Sequence, residues 1–210
     1  MNKAIFLDRD GTIAKDVRYC SRPEDFVFLP TVFDGLKLLS KTEFKIIVVT
    51  NQSGIARGYF TEEILSRIHA KMKAEITEHG GRIDVIYYCP HHPDDKCQCR
   101  KPNTGMLKNA ANEWEIDLSG SYFIGDKYLD MEAANKVDCK AVLVPREEPE
   151  LGELYGKKGC KGSLDFVSPD FMIAAKWVLA DAIKMTQVAM VVPPRKHNLT
   201  PGSCLSQDFK

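Results

Sequence analysis

The chain has 210 residues, enough for one α/β domain with a full core, and its 44% hydrophobic and 28% charged residues are those of an ordinary globular protein. Lys+Arg and Asp+Glu number 29 each, so the net charge is zero, which argues against a general nucleic-acid binder while allowing a local basic pocket. No stretch approaches the roughly 20 apolar residues that span a bilayer, the Met1-Asn2-Lys3 start is too short and charged for a signal peptide, and the seven unevenly spread cysteines do not read as a disulfide framework, so the expected compartment is the cytoplasm.

In chain order, Ala4-Ile5-Phe6-Leu7 reads as a buried strand, and Val32 to Ser40, behind Pro30, as the first helix. Ile46-Ile47-Val48-Val49 is a second strand, rich in β-branched residues. Thr61 is placed to cap a longer helix whose first turn is acidic; Ile64, Leu65, Ile68, Met72 and Ile76 recur at helical spacing, and Gly80-Gly81 closes it. Strands follow at Val85–Tyr88, Tyr122–Ile124 and Ala141–Val144, separated by helices around Met106–Trp114 and Leu129–Val137. Beyond Pro145 the composition turns Glu/Pro-rich and then Gly/Lys-rich, before a helix from about Asp170 to Met185 with Ile173, Trp177 and Ala180–Ile183 on its apolar side. The expected organisation is one domain over 1–148, a C-terminal extension over 149–190 whose helix packs on the core, and a flexible tail over 191–210. Strands alternating with helices predict a Rossmann-like three-layer α/β sandwich with a central parallel sheet, whose ligands bind at the carboxyl ends of the strands.

Asp8-Arg9-Asp10-Gly11-Thr12 leaves the first strand directly and puts two carboxylates two residues apart on one side of an extended turn. One can attack a phosphoryl group and the other can move the leaving-group proton. Two anions facing an anionic substrate require a divalent cation, and oxygen ligands favour Mg²⁺. The competing reading of this pentapeptide is a polar Asp-Gly turn. Three other groups sit at strand ends. Thr50-Asn51-Gln52-Ser53-Gly54 offers a hydroxyl and backbone amides to phosphoryl oxygens; Arg100-Lys101-Pro102 offers two cations; Gly125-Asp126-Lys127, with Asp130 behind it, offers a distal cation ligand. Asp130 is expected to steady the start of a helix rather than to ligate.

Cys89-Pro90-His91-His92-Pro93-Asp94-Asp95-Lys96-Cys97-Gln98-Cys99 places three cysteines and two histidines within eleven residues. Three thiolates and one imidazole complete a tetrahedral Zn²⁺ site with no open position, so this metal would be structural and would stiffen the loop carrying Arg100 and Lys101. Either histidine can serve as the fourth ligand, and His91 is preferred.

The ordered set Asp-x-Asp-Gly-Thr, Thr-Asn, Lys and Gly-Asp-x₃-Asp over residues 4–145 resembles the haloacid dehalogenase superfamily of phosphatases. The resemblance implies Asp8 as nucleophile, Asp10 as acid/base, Thr50 and Lys101 as stabilisers of the phosphoryl group, and Mg²⁺ on Asp8, Asp126 and the backbone carbonyl of Asp10. Within the superfamily, the run Thr50–Gly58, the Tyr88–Pro93 stretch and Cys99–Pro102 are similar to the D-glycero-D-manno-heptose 1,7-bisphosphate 7-phosphatases, which are related to histidinol-phosphate phosphatases. That likeness implies Zn²⁺ on Cys89, His91, Cys97 and Cys99. It also implies substrate contacts from Asp16, Val17, Arg18, Tyr19, Thr50, Asn51, Gln52, Ser53, Arg100 and Lys127. The partner would be a small phosphorylated sugar, with no nucleic acid and no membrane, and the protein a monomer. Only 39 residues separate Asp10 from Thr50 and 50 separate Thr50 from Lys101, which leaves no room for a large cap domain. Short loops should then shape the pocket, with Arg18, Arg57 and Arg100 setting specificity. Three alternatives carry other predictions: histidinol phosphate or a smaller sugar phosphate as substrate, a polynucleotide 3′-phosphatase with a basic, aromatic groove, and a non-enzymatic zinc-binding module.

Overall fold

A computed structural model describes residues 1–146 and 163–191, with side chains through Met185. Six strands, β1 (Ala4–Leu7), β2 (Lys45–Asn51), β3 (Val85–Cys89), β4 (Tyr122–Gly125), β5 (Lys140–Leu143) and β6 (Phe166–Val167), form one sheet in the order β3-β2-β1-β4-β5-β6. Every adjacent pair is parallel. The helices are α1 (Val32–Leu39), α2 (Glu62–Glu78), α3 (Gly105–Trp114), α4 (Tyr128–Asn135) and α5 (Phe171–Val191).

Period-two alternation sorts the side chains of β1 onto two faces. Ile5 and Leu7 pack with α1, α2 and α5 through Leu36, Leu39, Ile68, Met72, Phe171 and Ala175. Ala4 and Phe6 face the opposite layer, where Met106, Leu107, Ala110 and Met131 come from α3 and α4. Both faces of the strands are therefore buried, which explains their continuous apolar runs. Thr61 accepts a hydrogen bond from the Ile64 amide (3.3 Å) and so caps α2 as its position predicted.

The chain runs outward from β1 to β2 and β3, then crosses back to lay β4 on the free side of β1. This reversal opens a crevice at the carboxyl ends of β1 and β4, where such sheets bind ligands. Asp8 follows β1 and Asp126 follows β4, so the topology alone brings together two carboxylates 118 positions apart.

The five predicted strands appear with ends shifted by two residues at most. β6 was not predicted. Two residues are too few to show alternation, and Phe166-Val167 becomes a strand only because β5 presents an unpaired edge to it. The last helix starts at Phe171 and runs to Val191, six residues beyond its predicted end. The predicted domain boundary near 148 and the Glu/Pro- and Gly/Lys-rich stretch up to 162 lie outside the described residues. So does the predicted tail, apart from Val191. Among the described residues, no helix is long and apolar enough to cross a membrane.

Candidate active site

Asp8 is buried at the end of β1, its amide tied to the Ile124 carbonyl of β4 (3.0 Å). Lys101, also buried, places its Nζ 2.7 Å from Asp8 Oδ1, 2.6 Å from Asp130 Oδ1 and 2.8 Å from the Val49 carbonyl oxygen. Burial opposes the Asp8 charge, but the Lys101 ammonium overcomes it and holds the carboxyl below its ordinary value, so this carboxylate is ionised. The two carboxylates likewise hold the Lys101 pKa above its ordinary value against the effect of burial.

Asp126 and Asp130 complete a set of three buried carboxylates with Asp8, one oxygen of each within 4.8 Å of the others. Burial, with the charges of Asp8 and Asp130, pushes Asp126 up to about 8. Three carboxyl groups in so small a volume resist ionising together, and an all-oxygen donor set of this kind suits a hard divalent cation. Arg146 supplies positive charge here: it pairs with Asp126, lies 3.0 Å from Asp16 Oδ2 and donates to the Asp10 carbonyl oxygen at 2.7 Å. Gly11 makes this approach possible, because its φ of +98° suits glycine and a Cβ there would meet the Arg146 guanidinium. Asp130 also accepts from the Lys127 amide (3.1 Å), steadying the start of α4 as predicted, while its other oxygen faces Lys101. Gly125 permits this packing: a Cβ there would stand 2.6 Å from Asp130 Cβ.

The Asp10 side chain stays out of the carboxylate cluster. Arg9 donates to Oδ1 from Nε (3.1 Å) and from Nη2 to both oxygens (2.9 Å each), and Gln52 donates to Oδ2 (2.8 Å). The same Gln52 amide reaches Thr50 Oγ1 (2.8 Å), tying the acid to the hydroxyl across the crevice. Arg9 Nη1 lies 3.1 Å from His69 Nε2 on α2.

Beside this cluster lies a cavity of about 260 Å³. Asp8, Asp10, Asp16, Arg18, Tyr19, Thr50, Asn51, Gln52, Ser53, Arg100, Lys101 and Lys127 all border it. Val17 and Arg57 do not. Val17 is 40% exposed, and Arg57 lies with its Cζ 6.0 Å from the Tyr19 ring centre, behind that wall. Arg18 and Tyr19 take left-handed φ values of 38° and 69°, a strained pair at the mouth of the pocket. Asn51 is committed elsewhere: it bonds the Lys101 amide (3.0 Å) and carbonyl (3.2 Å), so it positions the lysine. Arg100 Nη1 is buried without a hydrogen-bond partner, a donor that calls for an anion.

On the loop after β3, the Sγ atoms of Cys89, Cys97 and Cys99 stand 3.3–3.5 Å apart, and His91 Nδ1 is 3.1 Å from Cys99 and 3.6 Å from Cys89. His92 turns away and accepts from the Asp94 amide (3.3 Å) in a short 3₁₀ turn. The four atoms form a compact cluster able to hold a metal ion.

Residues 3–176 match the family model described as polynucleotide kinase 3 phosphatase. The D-glycero-beta-D-manno-heptose-1,7-bisphosphate 7-phosphatase of Pseudomonas aeruginosa is 43% identical over 141 residues, 67% of this chain and 79% of that protein. The Escherichia coli K12 enzyme of the same name is 38% identical over 192 residues, 88% of this chain and 92% of that one. The chain belongs to the heptose-bisphosphate phosphatase family of the haloacid dehalogenase superfamily. A crystal structure from this family, the D,D-heptose 1,7-bisphosphate phosphatase of B. bronchiseptica complexed with magnesium and phosphate, superposes with a TM-score of 0.77 at 34% identity, covering 85% of this chain and 99% of that one.

Three residues at this family site were not singled out from the sequence: Arg146, His69 and, beyond its place in the first motif, Arg9. Arg146 had a usable signal, since it lies just past the carboxyl end of a strand. His69 had one too: with Leu65, Met72 and Ile76 it shares the buried face of α2. Burial and the Arg9 charge pull the His69 pKa down to about 3. A lowered histidine pKa makes the unfolded state the better proton acceptor, so His69 removes stability as pH falls below about 6.5. Between pH 7 and pH 5 this should take away about 2 kcal/mol in the wild type. Urea unfolding at both pH values checks it: the loss should shrink by about that amount in His69→Gln, and equal losses would contradict a neutral buried imidazole.

Proposed function

We propose that the chain is a magnesium-dependent phosphatase that removes the 7-phosphate of D-glycero-D-manno-heptose 1,7-bisphosphate through an aspartyl-phosphate on Asp8. The observation that carries this reading is the ionised Asp8 carboxylate on the floor of a small cation-lined pocket, with Asp10 held apart from the buried acidic cluster. Asp8, Asp126 and the Asp10 carbonyl oxygen would hold Mg²⁺, once Arg146 withdraws. The ion would neutralise charge between the carboxylates and the phosphoryl oxygens.

An Asp8 oxygen attacks phosphorus as the ester bond breaks, and Asp10 gives its proton to the departing sugar oxygen. Asp10 then takes a proton from the water that attacks the aspartyl-phosphate, which releases phosphate, restores the Asp8 carboxylate and returns Asp10 to its protonated form. Thr50 and Lys101 steady the phosphoryl oxygens during both steps. The unpaired Arg100 donor, with Arg18 and Lys127, supplies cations for the remaining phosphate of the substrate, and the cavity suits a single sugar. The polynucleotide description of the matched family model has less support, because the crevice is small and, among the described residues, its one aromatic wall residue is Tyr19.

The test is phosphate release from both anomers of heptose 1,7-bisphosphate. One equivalent of phosphate should appear with Mg²⁺ and heptose 1-phosphate should remain. Release of both phosphates, or full activity in excess chelator, would contradict the reading.

The metal on the loop after β3 is, in this proposal, Zn²⁺ held by Cys89, His91, Cys97 and Cys99. Tetrahedral zinc with thiolate bonds of about 2.3 Å separates its sulfurs by about 3.7 Å, and the cysteine sulfurs already stand at 3.3–3.5 Å. Its role would be to hold the loop that delivers Arg100 and Lys101. Metal analysis should find one zinc per chain, and Cys97→Ser should lose it together with at least about tenfold in kcat. Zinc-free protein with wild-type activity would refute the role. The proposed compartment is the cytoplasm.

A further inference from the structure

We infer that His69, acting through Arg9, is a positioning residue that fixes the Asp10 carboxylate for proton transfer; this rests on the phosphatase reading. Arg9 has 1% of its surface exposed, and its carboxylate partner is Asp10, the next residue along the chain. A guanidinium has donors only and keeps its proton throughout the pH range of interest. At 3.1 Å from Nη1, His69 Nε2 must therefore be an acceptor, so the imidazole is neutral and carries its proton on Nδ1.

The geometry gives this contact a job. Arg9 reaches Asp10 through Nε and Nη2, along one edge of the planar guanidinium, and reaches His69 through Nη1 at another. A bidentate fork fixes the plane of the carboxylate it grips only if the fork itself cannot turn. His69 fixes one end, and the Phe26 ring, with its centre 5.8 Å from Arg9 Cζ, lies alongside. Gln52 then selects Oδ2. With these contacts in place, the Asp10 side chain stays clear of Asp8, Asp126 and Asp130 and points into the pocket, where a leaving oxygen would stand. Without the His69 contact, Arg9 and Asp10 can swing together, and the acid loses its alignment although its charge partner is intact.

A role confined to packing and a role in proton transfer differ in their dependence on the leaving group. The experiment compares the wild type, H69L, H69Q and R9K on heptose 1,7-bisphosphate, whose sugar oxygen needs a proton, and on p-nitrophenyl phosphate, whose leaving group departs without one. It reads kcat and KM and, by rapid quench, the first step alone, because both esters share the later hydrolysis of the aspartyl-phosphate, in which Asp10 also acts. In H69L, the first-step rate on the sugar phosphate should fall about 10–100-fold, with KM within about threefold and with less than about threefold loss in that step on the aryl ester. H69Q presents an amide oxygen to Nη1 and should recover most of the sugar-phosphate rate. R9K, which cannot grip both oxygens, should behave as H69L does, and it carries the same expectation if H69L does not fold. Equal first-step losses on the two esters, no loss on either, or a folded H69Q no better than H69L would overturn the inference. Wild-type protein inactive on both esters would overturn the phosphatase reading, and the inference with it.

Discussion

Asp8→Asn is expected to lower phosphate release by about 10⁴-fold or more while the protein stays folded. The amide keeps the shape of the carboxylate and removes the nucleophilic charge, so no aspartyl-phosphate can form. Two effects on stability oppose each other. The variant loses one attraction to Lys101, whose ammonium keeps Asp130 at 2.6 Å and the Val49 carbonyl at 2.8 Å. It also relieves repulsion on Asp126 and Asp130, both of which Asp8 pushes upward. The unfolding free energy at pH 7 should therefore stay within about 1–2 kcal/mol of wild type. Single-turnover phosphate release and urea unfolding read the two quantities. A variant that keeps more than about a hundredth of wild-type activity would remove Asp8 from the chemistry.

Lys101→Met should fail in both respects. Methionine keeps most of the apolar stem, so packing changes little, but the ammonium is gone. Asp8 and Asp130 are then left as buried anions without their shared cation, a change that costs about 3–5 kcal/mol. The phosphoryl oxygens lose a donor as well, worth about 10²–10³ in kcat. The same residue would thus hold the fold and the reaction together, in contrast to Asp8. Measured side by side at saturating Mg²⁺, the lysine variant should show a clearly lower urea midpoint than the asparagine variant. Equal midpoints would mean that the Lys101 contacts with Asp8 and Asp130 do not stabilise the protein.

Much of this site could be read in one dimension, because Asp8 and Asp126 directly follow β1 and β4 and Thr50 lies at the end of β2. Ala4–Leu7 and the strand ending at Asn51 are continuous apolar runs that stop abruptly at polar residues, and a chain leaving a buried parallel strand must leave it at the carboxyl end. The Cys89–Cys99 loop was equally legible, since thiols and imidazoles within eleven residues limit what can surround a metal. Less could be said of Asn51, which pattern reading placed on the substrate and which the structure ties to the Lys101 backbone. Val17 and Arg57 were carried into the predicted pocket by their neighbours in sequence, but loop curvature, not adjacency, decides which side chains face inward.

The sequence by itself determined β1 to β5 and the helices, the order of the motif residues and the kinds of ligand atom available. Local periodicity and residue chemistry act over a few neighbouring positions and need no knowledge of the fold. Tertiary structure alone decided that Asp8 meets Lys101 and Asp130, that Arg146 reaches Asp126, that His91 rather than His92 turns to the thiols, and that His69 holds Arg9 from a helix sixty positions away. These contacts depend on sheet order and on how helices close over a shared core, and such long-range packing leaves no periodic trace in the chain that makes it.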